Sequence, residues 1–117
     1  MADMTDFPRR VDLLQGTLDM LILKALTAGP MHGYGVARWL ERTTGNTLRV
    51  EEGSLYPALT RMAERGWVSR AWGVSENNRR ARFYSLTEEG ERQLHRETTI
   101  WSTFTGAVAR VLDSEPG

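Results

Sequence analysis

At Gly66 the hydrophobic period of this chain changes, and that change restricts the folds open to it. Before Gly66, apolar residues recur three and four positions apart, the spacing of one helix face. Immediately after it, "WVSRAWGV" and "RFYSLT" alternate and are rich in aromatic and β-branched residues, as strands are. From Thr87 the helical period returns. The polar segment "SENNRRA" separates the two alternating runs and reads as the turn of a β-hairpin. With 117 residues, 40% of them hydrophobic, the chain can close one modest core. The expected class is mainly α with a small β-hairpin, in the order helix, helix, helix, hairpin, long helix.

The helices carry their own punctuation. "LLQGTLDMLILKALTAG" aligns Leu14, Leu18, Leu21, Ile22, Ala25 and Leu26, and Gly29-Pro30 ends it. "GYGVARWLERTTG" aligns Val36, Trp39 and Leu40, with Gly45 as the stop. "TLRV" reads as a short extended link into a third helix that closes at Gly66. In the last helix Thr87 is the N-cap, and Gly90 occupies the position where a capping box needs a glutamate or glutamine, so the box is incomplete.

The third helix contains "GSLYPALTRM", residues 53–62. Leu55, Ala58, Leu59 and Met62 share one face. At about 100° per residue the other face carries Gly53, Pro57 and Thr60, flanked by Ser54, Tyr56 and Arg61. A proline is tolerated in the first turns, where backbone donors are already unpaired. Three small helices followed by a hairpin is the order of a winged helix-turn-helix, in which the third helix enters the DNA major groove and the hairpin, or wing, lies along the backbone or minor groove. On this reading Gly53 lets the backbone approach closely and Pro57 offers an apolar contact. Ser54 and Tyr56 donate to phosphate, Thr60 faces the groove, and Arg61 reaches a guanine edge or a phosphate. Arg79, Arg80 and Arg82 arm the wing.

The zero net charge hides an uneven distribution. Residues 31–86 hold nine arginines against five glutamates, whereas residues 1–30 and 87–117 carry net charges of −1 and −3. A basic middle between acidic ends points to a polyanion met by the middle alone.

Three stretches resemble one known family. "LDMLILKALTAGPMHGYGVARWLE", "EEGSLYPALTRMAERGWV" and "RRARFYSLTEEG" are similar, in order and spacing, to the linked signatures of PadR-like transcriptional regulators, over roughly residues 13–112. The resemblance implies a winged-helix regulator, usually a repressor, that dimerises through its C-terminal helix and often responds to a small molecule. The single helix after the hairpin is similar to the compact branch of that family. Two features depart from the pattern. The wing turn reads Asn77-Asn78-Arg79-Arg80-Ala81-Arg82 where the family commonly has a glycine and an Arg-Lys pair. Glu51 and Glu52 suit the dipole at the start of the third helix but sit close to where phosphate would lie.

The last helix has a stripe of its own. Leu94, Trp101 and Val108 are spaced by seven, and Glu97, Phe104 and Val111 interleave, a heptad-like pattern with one polar interruption. A single helix leaving a small domain has too little surface beside it to cover such a stripe, so a homodimer meeting along Leu94, Trp101, Phe104, Val108 and Val111 is expected, with folding back onto the first helix as the alternative. A dimer suits a two-fold operator. A seam left open around Trp101 and Phe104 would form an apolar cleft for a small aromatic or hydrophobic effector, and a fully packed seam would not. The expected organisation is an N-terminal extension (1–12), a winged-helix DNA-binding domain (13–86), a dimerisation helix (87–112) and a tail (113–117).

Catalysis finds no support. Glu91 and His95 make at most half a metal site, "GYGVAR" follows no strand and is no nucleotide loop, and Ser54 has no positioned base. No enzyme activity, cofactor or metal is expected. Without cysteine, without an apolar run approaching about 20 residues and without a signal-peptide core, the expectation is a soluble cytoplasmic protein with no membrane partner. The partners expected are double-stranded DNA, a second copy of the chain and a hydrophobic effector. The competing reading is a protein-interaction module that kept the winged helix and lost DNA binding, against which the three wing arginines speak.

Overall fold

The computed structural model of the chain describes residues 15–117. The helices are α1 (Gln15–Ala25), α2 (Gly33–Thr43), α3 (Glu52–Glu64) and α4 (Glu88–Leu112), and the strands are β1 (Met31–His32), β2 (Val68–Val74) and β3 (Arg80–Leu86). The mainly α class with a wing is as the periodicity indicated. The residues assigned to the N-terminal extension, together with Leu14, lie outside the described residues.

The core forms where α1, α2 and α3 meet the base of the hairpin. Ile22, Leu23, Leu26, Val36, Leu55, Leu59 and Met62 are almost completely buried. Each such side chain contributes about 1.5–3 kcal/mol relative to exposure. Burial of Leu23 as well as Ile22 means that α1 is covered on more than one face, because α2, α3 and α4 all pack against it. Val68 and Tyr84 carry the core into the sheet.

Two expectations about backbone are corrected. The sheet has three strands in the order β1-β3-β2, all antiparallel, with Met31 opposite Tyr84 and His32 opposite Phe83. A two-residue strand behind Gly29-Pro30 is too short to show a period. Residues 47–50, read as an extended link, form no strand. Gly45 and Asn46 both take positive φ (58° and 63°), and the turn is closed by hydrogen bonds from the Gly45 and Asn46 amides to the carbonyls of Arg42 and Glu41.

Pro57 also sits differently. It is the sixth residue of α3, beyond the four donors that a helix start leaves free. Its missing N–H therefore deprives the Gly53 carbonyl of a partner, at an exposed position where water can take its place.

The start of α4 is fixed by its backbone approach to the hairpin. The Thr87 hydroxyl accepts from the Gly90 amide at 3.0 Å and lies 2.6 Å from the Gly66 carbonyl, to which it donates. A Cβ on Gly90 would collide with the Trp67 carbonyl and crowd Leu86 at 2.7 Å. The capping box is incomplete because that position must be glycine.

Candidate nucleic-acid interface

The exposed side of α3 carries most of the residues assigned to DNA. Tyr56, Pro57 and Thr60 are exposed and Ser54 half-buried, while Leu55, Ala58, Leu59 and Met62 are buried. The Tyr56 ring leans on the start of α2, where a Cβ on Gly33 would come within 2.7 Å of Tyr56 Cε1. The close approach explains a glycine as the first residue of α2. Burial pushes the Tyr56 hydroxyl above its ordinary pKa, with the Glu52 charge adding to the effect, so it remains a protonated donor. Glu51 is the N-cap of α3 by position, but its side chain makes no capping bond.

Arg61, at the border of that face, has a partner within the fold. Its Nη2 donates to Asp19 Oδ1 of α1 at 2.6 Å, with side-chain exposures of 26% for Arg61 and 10% for Asp19. Burial pushes the Asp19 carboxyl above its ordinary pKa, and the Arg61 guanidinium beside it pulls the other way without cancelling the effect. A guanidinium held against a buried carboxylate is committed to the fold. It ties α3 to α1. The signal available in the sequence was Asp19 itself, a lone carboxylate among apolar neighbours that needed a cation.

The wing carries the cationic residues assigned to DNA. Ser75 and Arg79 close its turn, the Ser75 amide bonding the Arg79 carbonyl at 2.8 Å and the Asn78 amide bonding the Ser75 carbonyl at 2.9 Å. Asn78 takes φ +58°, the left-handed conformation for which glycine is the usual choice and asparagine the next. The departure from the family's glycine therefore leaves a regular turn. Arg79 lies in this turn, Arg80 and Arg82 on β3. Trp72 stands directly opposite Arg82, and both the Arg80 and Arg82 guanidiniums lie over its ring, 4.6 and 4.7 Å from the centroid. Trp72 itself is 57% exposed. Among the described residues, Arg61 is the one arginine between 31 and 86 that forms an ion pair.

Sequence reasoning missed His32. Its Nδ1 accepts from the Gly35 amide at 3.0 Å and so caps α2, its ring meets Phe83 edge-on, and its Nε2 lies 3.8 Å from Glu76 in the wing turn. Polar residues just ahead of a helix are cap candidates, but histidine is not among the usual ones. Tyr34 is exposed, with Arg38 over its ring.

The stripe on α4 divides in two. Leu94 packs against the core of its own chain and Glu97 is half-buried, so the inner part of α4 lies on α1. Trp101, Phe104, Val108 and Val111 are exposed, as are Ile100 and Leu112, which the heptad did not include. The Trp101 and Phe104 rings lie 6.4 Å apart, tilted by 43°. The surface hollows beside the start of α2 and along Glu88, Glu91, Arg92, His95 and Arg96 do not include them.

Among the described residues no group of three His, Asp or Glu side chains is placed to hold a metal ion, and no helix is long and apolar enough to cross a membrane. The sequence model of the transcriptional regulator PadR-like family matches residues 22–96. A PadR-like transcriptional regulator of Bacillus cereus is 26% identical with a TM-score of 0.75, over 89% of this chain and 99% of its own. A PadR family transcriptional regulator of Eggerthella lenta is 27% identical with a TM-score of 0.75, over 90% of this chain and 89% of its own. A 37.1 kDa protein in a transposon of Streptomyces fradiae is 36% identical over 76% of this chain, which spans only 24% of that relative. The family match runs from the last turn of α1 through α2, α3 and the wing into α4, and the similar structures named are of transcriptional regulators rather than enzymes. The chain belongs to the PadR-like family of DNA-binding transcriptional regulators.

Proposed function

We propose that this chain is a cytoplasmic repressor that binds a two-fold operator as a homodimer. In this reading residues 13–86 form the DNA-binding unit, with α3 in the major groove through Ser54, Tyr56, Pro57 and Thr60 and the wing on the backbone or minor groove through Arg79, Arg80 and Arg82. The outer part of α4 joins the two copies. One observation carries the proposal: the same small fold leaves a polar, proline-bearing helix face and a cationic wing uncovered at one place and an apolar stripe uncovered at another. A polyanion suits the first and a second copy of the chain suits the second.

A small hydrophobic ligand between the Trp101 and Phe104 rings of the two copies would release the operator by favouring one spacing of the recognition helices over another, which demands unequal affinity for the two dimer states. Genome-wide recovery of bound DNA, followed by binding measurements on the recovered sites, tests the operator. Sites with two-fold symmetry and half-sites about one helical turn apart are the expected result. Absence of any salt-dependent duplex binding would favour the interaction-module reading instead. Tryptophan fluorescence titrated with planar aromatic compounds, with Trp101→Phe as control, tests the effector. A compound that both quenches the Trp101 signal and changes DNA affinity is the expected result.

A further inference from the structure

We propose that Trp72 is a positioning residue for DNA binding: its indole forms a shelf that holds the guanidiniums of Arg80 and Arg82 in place before the wing meets DNA. The inference rests on the reading of the wing as a DNA contact and assigns a role to a residue that packing alone does not require. A large aromatic side chain left 57% exposed near the tip of a hairpin covers little of its own surface. What it does cover is two cations. The register makes this possible, since cross-strand partners share a face: Trp72 opposes Arg82 and Val74 opposes Arg80, so all four side chains project from one side of the wing. At the base of the hairpin that same side turns inward through Val68 and Tyr84, whereas at the tip it is outside the core.

An arginine free in solvent loses rotamer freedom when it is fixed on a phosphate or in a groove, and that loss weakens binding. Guanidiniums already lying over an indole at 4.6 and 4.7 Å have lost part of that freedom in the unbound protein. Neither carries a carboxylate partner among the described residues that DNA would have to displace. A contact with the π face uses none of the N–H donors of either guanidinium, so they stay free to donate. Arg79 provides the internal contrast. It lies in the turn, away from the cation–π pairs, and its binding should not depend on the indole.

The test is a mutant cycle read by fluorescence anisotropy on a labelled mixed-sequence duplex of about three helical turns, over a range of salt. Trp72→Ala is expected to weaken binding by about tenfold with the slope of log K against log salt unchanged, because both charges remain to displace counterions. Trp72→Phe, which keeps a π face, should bind within about twofold of the wild type. In an Arg80→Ala/Arg82→Ala background, whose slope is flatter by about two units, Trp72→Ala should cost nothing further. Where Trp72→Ala lowers the melting temperature, Trp72→Leu, with apolar bulk but no π face, carries the same expectation. Full affinity in Trp72→Ala or Trp72→Leu, or an equal loss with and without the two arginines, overturns the role given to Trp72 while leaving the DNA-binding reading intact. A wild-type protein with no salt-dependent binding overturns that reading itself, and this inference with it.

Discussion

α3 and the outer part of α4 are both helices with one uncovered face, and the chemistry of those faces is opposite. α3 buries Leu55, Leu59 and Met62 and leaves Tyr56, Pro57 and Thr60 outside. The outer part of α4 leaves Ile100, Trp101, Phe104, Val108 and Val111 outside and has no core of its own chain to bury them in. An amphipathic helix in a single domain turns its apolar side inward. α3 obeys that rule within one chain, and the outer part of α4 would obey it in the homodimer proposed above. The contrast separates two kinds of substitution, those that would break the proposed partnership of copies and those that would break the fold or the proposed DNA face.

The largest effect is expected at the α4 stripe. Trp101→Asp would put a carboxylate into the apolar seam proposed for the dimer, and desolvating it should weaken association by about a thousandfold, roughly 4 kcal/mol. Sedimentation at micromolar concentration reads this directly. A folded, dimeric Trp101→Asp protein would place the interface elsewhere and end the comparison.

On α3 the buried side comes next. Leu59→Ala should cost about 2–5 kcal/mol of stability, measured by denaturant unfolding, because Leu59 is fully buried in the shared core. A comparable loss from Thr60→Ala, on the exposed side, would show that the two faces of α3 are not divided as described.

Arg61 gives a smaller and pH-dependent effect. Arg61→Ala strands the buried Asp19 carboxylate, a loss of about 2 kcal/mol at neutral pH once the partial exposure of the guanidinium is discounted. The pKa of Asp19 is raised by burial, so its charged form already costs the folded state, and the stability it contributes is greatest when it is protonated and falls as pH rises through its folded pKa. Without Arg61 that pKa rises further. The cost of Arg61→Ala should therefore shrink as the medium is acidified toward and below the ordinary carboxylate range. A cost that does not vary with pH would mean that Asp19 is not the group released.

The smallest effect belongs to the wing turn. Arg79→Ala should weaken binding to all duplexes about equally, by several-fold at low salt, and flatten the salt slope by about one unit. An unchanged slope would remove Arg79 from the backbone contacts and confine the wing's cationic role to β3.

The residues show why some of this could be read in advance and some could not. Leu55, Leu59 and Met62 announce a helix face through spacing alone, and Thr87 announces a cap, because both signals are complete within about two turns of chain. Asn78 in the wing is nearly as local: a turn needed a left-handed residue, and asparagine can be one. Arg61 could not be placed this way. On a wheel it borders the polar face, and only the position of Asp19, 42 residues earlier, turns it inward. β1 was invisible because two residues have no period, and its strand character exists only through pairing with β3. Ser54, Tyr56, Pro57 and Thr60 were legible as an uncovered face, and their use on DNA remains the proposal.

The sequence by itself determined the order of the four helices and the hairpin and the buried side of α3, since each depends on dihedral preferences and periodicities spanning a few residues. Tertiary structure alone decided three things: that Arg61 answers Asp19, that Arg80 and Arg82 gather on Trp72, and that the α4 stripe is split between Leu94 inside and Trp101 outside. A heptad repeats without reference to where the domain beside it ends, and a charge or a ring has no partner until the chain brings distant segments within a few ångströms. Those pairings are set by the packing of α1 against α3 and α4 and by the register of β2 on β3, which no local pattern encodes.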